Sequence, residues 1–275
     1  MLGAGGALYA FGHHPSMTGF VKPGSIARRI WGSSDLILLV FAGTAGEFAL
    51  NRAVDWLFFT NRLPRDPMGR LLSTAAFAPR IFFAEAEDAR RTIERVNTIH
   101  RGVEDARGTH IPEWAYRDVL YMLMDYSERA FGLLERRLRP TEQEELYDAY
   151  RRIGVLMRIP DLPEGYEAWC ADRGAHMERD LAFSDHTARL YRQYRRQLGE
   201  WRYALLLGVQ AALLPERVRG LLNVPPARAL DLAMRAYGTV RVSPLRALAH
   251  RLLLPRGFRE RIARLDRPDA PVASP

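Results

Sequence analysis

From Ser34 to Leu254 the apolar residues recur at three- and four-residue intervals, and no stretch alternates apolar with polar between hairpin turns. A period of about 3.6 residues lines them along helix faces. Such a chain builds its core by packing helix on helix. Prolines and capping residues divide the pattern. Residues 34–60 start at Ser34 or Asp35 and carry a broad apolar face, and the loop NRLPRDP follows. Asp66 caps a helix with Pro67 at its first position, and Pro79 kinks or ends it. Residues 85–105 form the next helix, weakened at its far end by Gly102 and Gly108. Pro112 opens a long helix that ends before Pro140, and Thr141 with Glu144 makes a capping box for another, broken by IPDLP at 159–163. Ser184 begins one long helix through Tyr191, Tyr194, Trp201 and LLLGVQAALL. Ser243 and Pro244 start a helix to Leu254, and RGFRERIARL makes a short basic one. The expected fold is all-α, one globular domain of about ten helices. An N-terminal segment covers 1–21, the helical domain 22–255, and a short basic helix with a loose tail 256–275.

With 275 residues, 48% of them hydrophobic, the chain buries an ample core without staples. Cys170 is its only cysteine, which excludes an intrachain disulfide and a cysteine-based zinc site; a small buried hydrophobe is the expected role. The net charge of +8 does not read as a nucleic-acid footprint. Lys22 is the only lysine, and the arginines are spread among 32 acidic residues, as a GC-rich genome would leave them. The longest apolar stretch, Leu36 to Leu50, contains Glu47 and falls short of the ~20 residues that span a bilayer. Arg28 and Arg29 precede it in the manner of an export signal, but Asp35 intervenes and no cleavage site follows. A cytoplasmic protein without a transmembrane segment is the expectation.

Nucleotide-binding glycine loops, HExxH and GxSxG are absent. His13 and His14 are loop neighbours; His110 sits in the loop before Pro112 and His176 and His186 near helix ends, where capping or exposure accounts for all three, and His250 sits in an Arg-rich helix. His100 differs. In VNTIHRGV it shares a helix face with Val96, Ile99 and Val103. An imidazole there is either a core histidine with its hydrogen bonds satisfied or a ligand aimed at something that enters the core. In DPMGRLLST, Arg70 and Thr74 are four apart and share a face of the preceding helix. A histidine, an arginine and a hydroxyl on adjoining apolar helices suit a haem pocket: imidazole for iron, guanidinium for an anionic propionate or to orient a distal carboxylate, hydroxyl near bound oxygen; the alternative for Arg70 is a surface partner for Asp66 or Glu85.

At this point the sequence resembles the latex clearing protein (rubber oxygenase) family, which also contains the oxygenase MpaB of the mycophenolic acid pathway. Four stretches carry the resemblance: SIARRIWG at 25–32, DPMGRLLST at 66–74, RRTIERVNTIHRGV at 90–103, and the pair LPEGYEAW at 162–169 with VSPLRALAHRLLLP at 242–255. The resemblance implies an all-α fold around one haem b, with His100 as the proximal iron ligand and Arg70 and Thr74 lining the pocket. It also implies O2-dependent cleavage of an alkene in a polyisoprene or prenyl side chain. Ser73 stands where rubber oxygenases carry a lysine able to close the sixth iron position. Where they carry a pocket glutamate, NRAVDWLFF offers only Asp55. The expectation is a haem b oxygenase for an apolar or prenyl-bearing small molecule, with Thr74, Arg70 and Asp55 around the reaction. The rivals are a haem-binding sensor or carrier without turnover, and a helical interaction protein without cofactor.

Overall fold

A computed structural model describes residues 19–59 and 65–226, together with Tyr237 and Asp266. Among these residues the chain is all-α, with only two isolated antiparallel bridges, Gly19 with Glu85 and Asn51 with Leu181. The helices are α1 Ile26–Trp31, α2 Ser34–Phe48, α3 Val54–Phe59, α4 Pro67–Ala75, α5 Pro79–Phe82 and α6 Ala86–Arg107. They continue as α7 Glu113–Leu134, α8 Pro140–Leu156, α9 Tyr166–Asp180, α10 Asp185–Leu198, α11 Glu200–Leu213 and α12 Glu216–Leu222. The expected terminal helices at 243–254 and 256–265, the paired His13 and His14, and His250 lie outside the described residues.

α2 is the axis of the molecule. It is apolar almost all round, as a helix enclosed by others must be, and it packs along α7, with α1, α11, α12 and α4 against its other sides. Gly43 allows the closest approach: a Cβ there would collide with the ring of Tyr126 on α7. No described helix is long and apolar enough to cross a membrane. Arg28 and Arg29 both serve the fold. Arg28 donates to the Phe82 carbonyl at 2.9 Å, and Arg29 pairs with Glu135 at 2.7 Å.

Several local expectations hold. The Asp66 carboxylate accepts from the Gly69 amide at 2.9 Å, and Ser184 opens α10 with a capping box closed by Thr187. Others need correction. The single helix expected over 34–60 stops at Phe48, because residues 50–53 turn aside to bond α9: Ala182 N–H donates to the Leu50 carbonyl and Arg52 N–H to the Asp180 carbonyl. The long helix through Trp201 is two, because Gly199 adopts φ +74°, a left-handed conformation that only glycine takes cheaply. At α8 the capping glutamate is Glu142, not Glu144. Pro140 takes the first helical position, so the third is Glu142, which accepts from the Arg139 amide at 2.9 Å. Cys170 is exposed, because the buried face of α9 runs through Trp169, Arg173 and His176.

Candidate functional site

α6 presents His100 toward Tyr116 of α7, ring centroids 5.1 Å apart. The expected face shifts: Ile93 and Asn97 are the buried residues, while Ile99 is exposed. Asn97 explains the rotation, since its amide donates to the Leu156 carbonyl at 3.1 Å and draws that side of α6 onto α8. His100 lies at the margin of the buried face, and its Nδ1 is buried without a hydrogen-bond partner. Burial, helped by the charge of Arg70 and opposed by Glu104, pushes its pKa down to about 4. The ring is therefore neutral at physiological pH. An unpartnered buried ring nitrogen costs about 1–3 kcal/mol, and a neutral imidazole is the protonation state that ligates iron. Of the two readings open in the sequence, the satisfied core histidine does not fit.

Glu104 lies one turn beyond His100. Its Oε1 accepts from the Tyr116 hydroxyl at 3.1 Å and from the Ile111 amide at 2.9 Å. Tyr116 is thereby held against the imidazole, and burial together with this bond raises its own pKa, so it stays a phenol. Arg70 on α4 is near enough for its charge to act on His100. Its Nη1 lies 3.4 Å from both Ser73 Oγ and Thr74 Oγ1, and both hydroxyls donate to the Arg70 carbonyl. Arg70 thus links Thr74 to the surroundings of His100 through its charge. Asp55, the third expected residue, is held by a different partner. It pairs with Arg107 at 2.7 Å, seven residues further along α6, about 10 Å of helix axis from His100. The Arg107 guanidinium in turn covers the ring of Trp56 at 4.0 Å. Tyr126 is enclosed in the core with its hydroxyl on Glu47 at 2.9 Å.

A second cluster escaped the sequence reading. His176, expected at a helix end and exposed or capping, is 2% exposed and lies between Asp118 of α7 and Asp180 of α9. The signal was available: Asp172, His176 and Asp180 recur every four residues in DRGAHMERD and share one helix face. Asp118 comes from a remote helix, and no spacing announces it.

His100 fits a haem ligand: a neutral ring with an unpartnered buried nitrogen and a guanidinium close enough for its charge to act on the ring. No curated protein and no solved structure matches the chain. Residues 1–243 match the family described as ER-bound oxygenase mpaB/B'/rubber oxygenase, catalytic domain. The chain therefore belongs to the mpaB and rubber oxygenase family of catalytic domains.

Proposed function

We propose that this oxygenase-family domain is a haem b-dependent enzyme that uses O2 on an apolar or prenyl-bearing small molecule, with His100 as the residue that would hold the iron. The observation that carries the reading is the Nδ1 of His100, buried, unpartnered and on a ring kept neutral. Haem b, when bound, supplies the iron that activates dioxygen toward the substrate alkene. The remaining work falls to this chain's side chains. His100 offers a lone pair without first losing a proton, because its burial has already removed the competing imidazolium. Tyr116, fixed by Glu104, sets the face that the imidazole presents. Arg70 provides a cation for an anionic propionate, and Thr74, four residues on, provides a hydroxyl for a polar atom on the same side. Phe77 and Val96, both partly buried, and Ile93, fully buried, supply apolar surface that excludes water. Asp55 acts at a distance, seating α3 on α6 through Arg107.

The test is a spectrum. Full-length protein supplied with haem should show a Soret band and about one haem per chain. His100→Ala should abolish the band or leave a loosely held, high-spin species. A His100→Ala protein with wild-type spectrum and stoichiometry would remove His100 from the iron. Substrate-dependent O2 consumption by the loaded wild type then separates an oxygenase from a carrier.

A further inference from the structure

We propose that Asp118, His176 and Asp180 form a second metal site, distinct from the haem pocket, that takes one divalent first-row transition cation such as zinc or manganese. All three residues are buried, and one ligand atom from each lies within 4.8 Å of the other two. Nδ1 of His176 is 3.0 Å from Asp180 Oδ2 and in close contact with Asp118 Oδ1. A tetrahedral site with bonds of about 2.0–2.2 Å spaces its ligand atoms about 3.3 Å apart. Small side-chain shifts therefore admit a cation.

One proton serves this cluster poorly. Nδ1 offers either one N–H or one lone pair. It faces two carboxylate oxygens. With a proton, a single N–H is shared between both; without one, the lone pair points at two acceptors. The nearby Arg179 nitrogen lies 3.1 and 3.4 Å from the two ring nitrogens and donates to Asp180 Oδ2 at 2.6 Å. A cation in place of the proton makes both carboxylates and the lone pair ligands together.

The surroundings are arranged for that occupant. Asn51 donates to Asp118 Oδ2 at 2.7 Å, which leaves Oδ1 for the centre. Arg179 Nε holds Asp180 Oδ1 at 2.8 Å, which leaves Oδ2 once the second Arg179 contact gives way. On the far side of the ring, Nε2 faces Asp172 Oδ1 at 3.7 Å, and Asp172 Oδ2 is fixed by the Tyr121 hydroxyl at 2.7 Å. Asp172 thus stands just beyond hydrogen-bond reach of Nε2, on the side from which a second carboxylate orients a ligating ring. The charges agree. Among the described residues Asp118, Asp172 and Asp180 face a single guanidinium, Arg179, and a divalent cation on a neutral ring brings this group to zero. Buried charge that is not balanced is costly. One imidazole with two carboxylates is a donor set for zinc or manganese, and soft thiolate chemistry is excluded by the ligands themselves.

The test uses the full-length, haem-loaded protein after dialysis against a chelator, titrated separately with Zn2+ and Mn2+. One equivalent of cation beyond the haem iron should be taken up, with a rise in Tm. His176→Gln and Asp180→Asn should lose that equivalent while keeping the Soret band and helical circular dichroism. Asp172→Asn should keep the stoichiometry and weaken affinity about 10–100-fold. If the ligand variants do not fold, X-ray absorption at the metal edge of the wild type decides: an oxygen and imidazole shell supports the site. Wild-type protein that takes up neither cation and shows no Tm change overturns the proposal. So does a folded His176→Gln protein that still binds a full equivalent, and so does a shell without imidazole.

Discussion

Arg70 and Thr74 stand one helical turn apart, and their different chemistries separate two kinds of failure. If Arg70 neutralises a buried anion, its removal leaves that charge uncompensated, which typically costs about 3–5 kcal/mol, whereas an exposed surface arginine shifts stability by only about 0.5 kcal/mol. Arg70→Ala should therefore release haem, read as a weaker Soret band and a lower Tm. Thr74→Val keeps the shape and deletes the hydroxyl; it should retain full haem content while O2 consumption falls. Wild-type haem content, Tm and O2 reactivity in both variants would take these residues away from the pocket. At this scale the sequence disclosed what helical spacing can disclose. His100 stood out as an imidazole in an apolar run, and Arg70 with Thr74 as a four-residue pair. The partners that define the His100 ring, Tyr116 and Glu104, were not legible, because Tyr116 arrives from another helix and Glu104 reads as one more exposed acid. His176 was passed over for the opposite reason. Its four-residue repeat with Asp172 and Asp180 was visible but looked like a solvated helix face, and only the fold shows that the face is turned inward.

Helix ends carry much of the local stability. At the start of α8, Glu142 accepts from the Arg139 amide and receives the Arg136 guanidinium at 2.7 and 2.8 Å, with Arg139 at 2.9 Å. The Arg136 bonds first, then the amide and Arg139, outweigh burial and hold its carboxyl down at about 2. Its pKa in the unfolded chain is higher, so its contribution is present above about pH 4.5 and is lost as pH falls through that value toward 2. The shift sets an upper bound of about 3 kcal/mol, and nearer half of that is expected because both arginines are open to water. Glu142→Gln should lower stability at pH 7 and flatten the acid limb of a urea-unfolding pH series. An unchanged acid limb would assign the loss to other carboxylates. Helix identity was readable from apolar period and punctuation, and Ser184 and Asp66 behaved as their residue types dictate. The breaks at residues 49–53 and at Gly199 were not readable. A break set by a partner 130 residues away leaves no local trace, and a lone glycine inside a periodic run looks like any other.

Across the whole molecule, α2, α7 and α9 are joined by charge buried in the core. Arg173 of α9 grips Glu47 of α2 through two bonds of 2.7 and 2.6 Å and reaches Asp125 of α7 at 3.1 Å. Burial opposes the cation, but Glu47 and Asp125 prevail and raise its pKa. Arg173→Met should destabilise by about 3–5 kcal/mol, since it strands the enclosed Glu47 carboxylate, while Asp125 keeps Arg129 at 2.6 Å; adding Glu47→Gln should recover part of the loss in urea melts. A single variant that melts like wild type would mean that water reaches this cluster. The sequence showed Glu47 only as an interruption that spoils a membrane span, because a buried ion pair needs both ends in view. The stitch between Leu50 and Ala182 has a further consequence, for the order of events during synthesis. Local helices form within microseconds of leaving the ribosome, yet the corner after α2 gains its backbone bonds to residues 180–182 only when about 130 more residues have emerged, several seconds later at ordinary translation speeds. Until then it is held by the Ala53 amide on Asn51 Oδ1 at 2.9 Å and, once α7 is made, by Asn51 on Asp118 at 2.7 Å. Folding of this domain is thus a closing reaction in which the last part of α9 sets the shape of a segment made long before it.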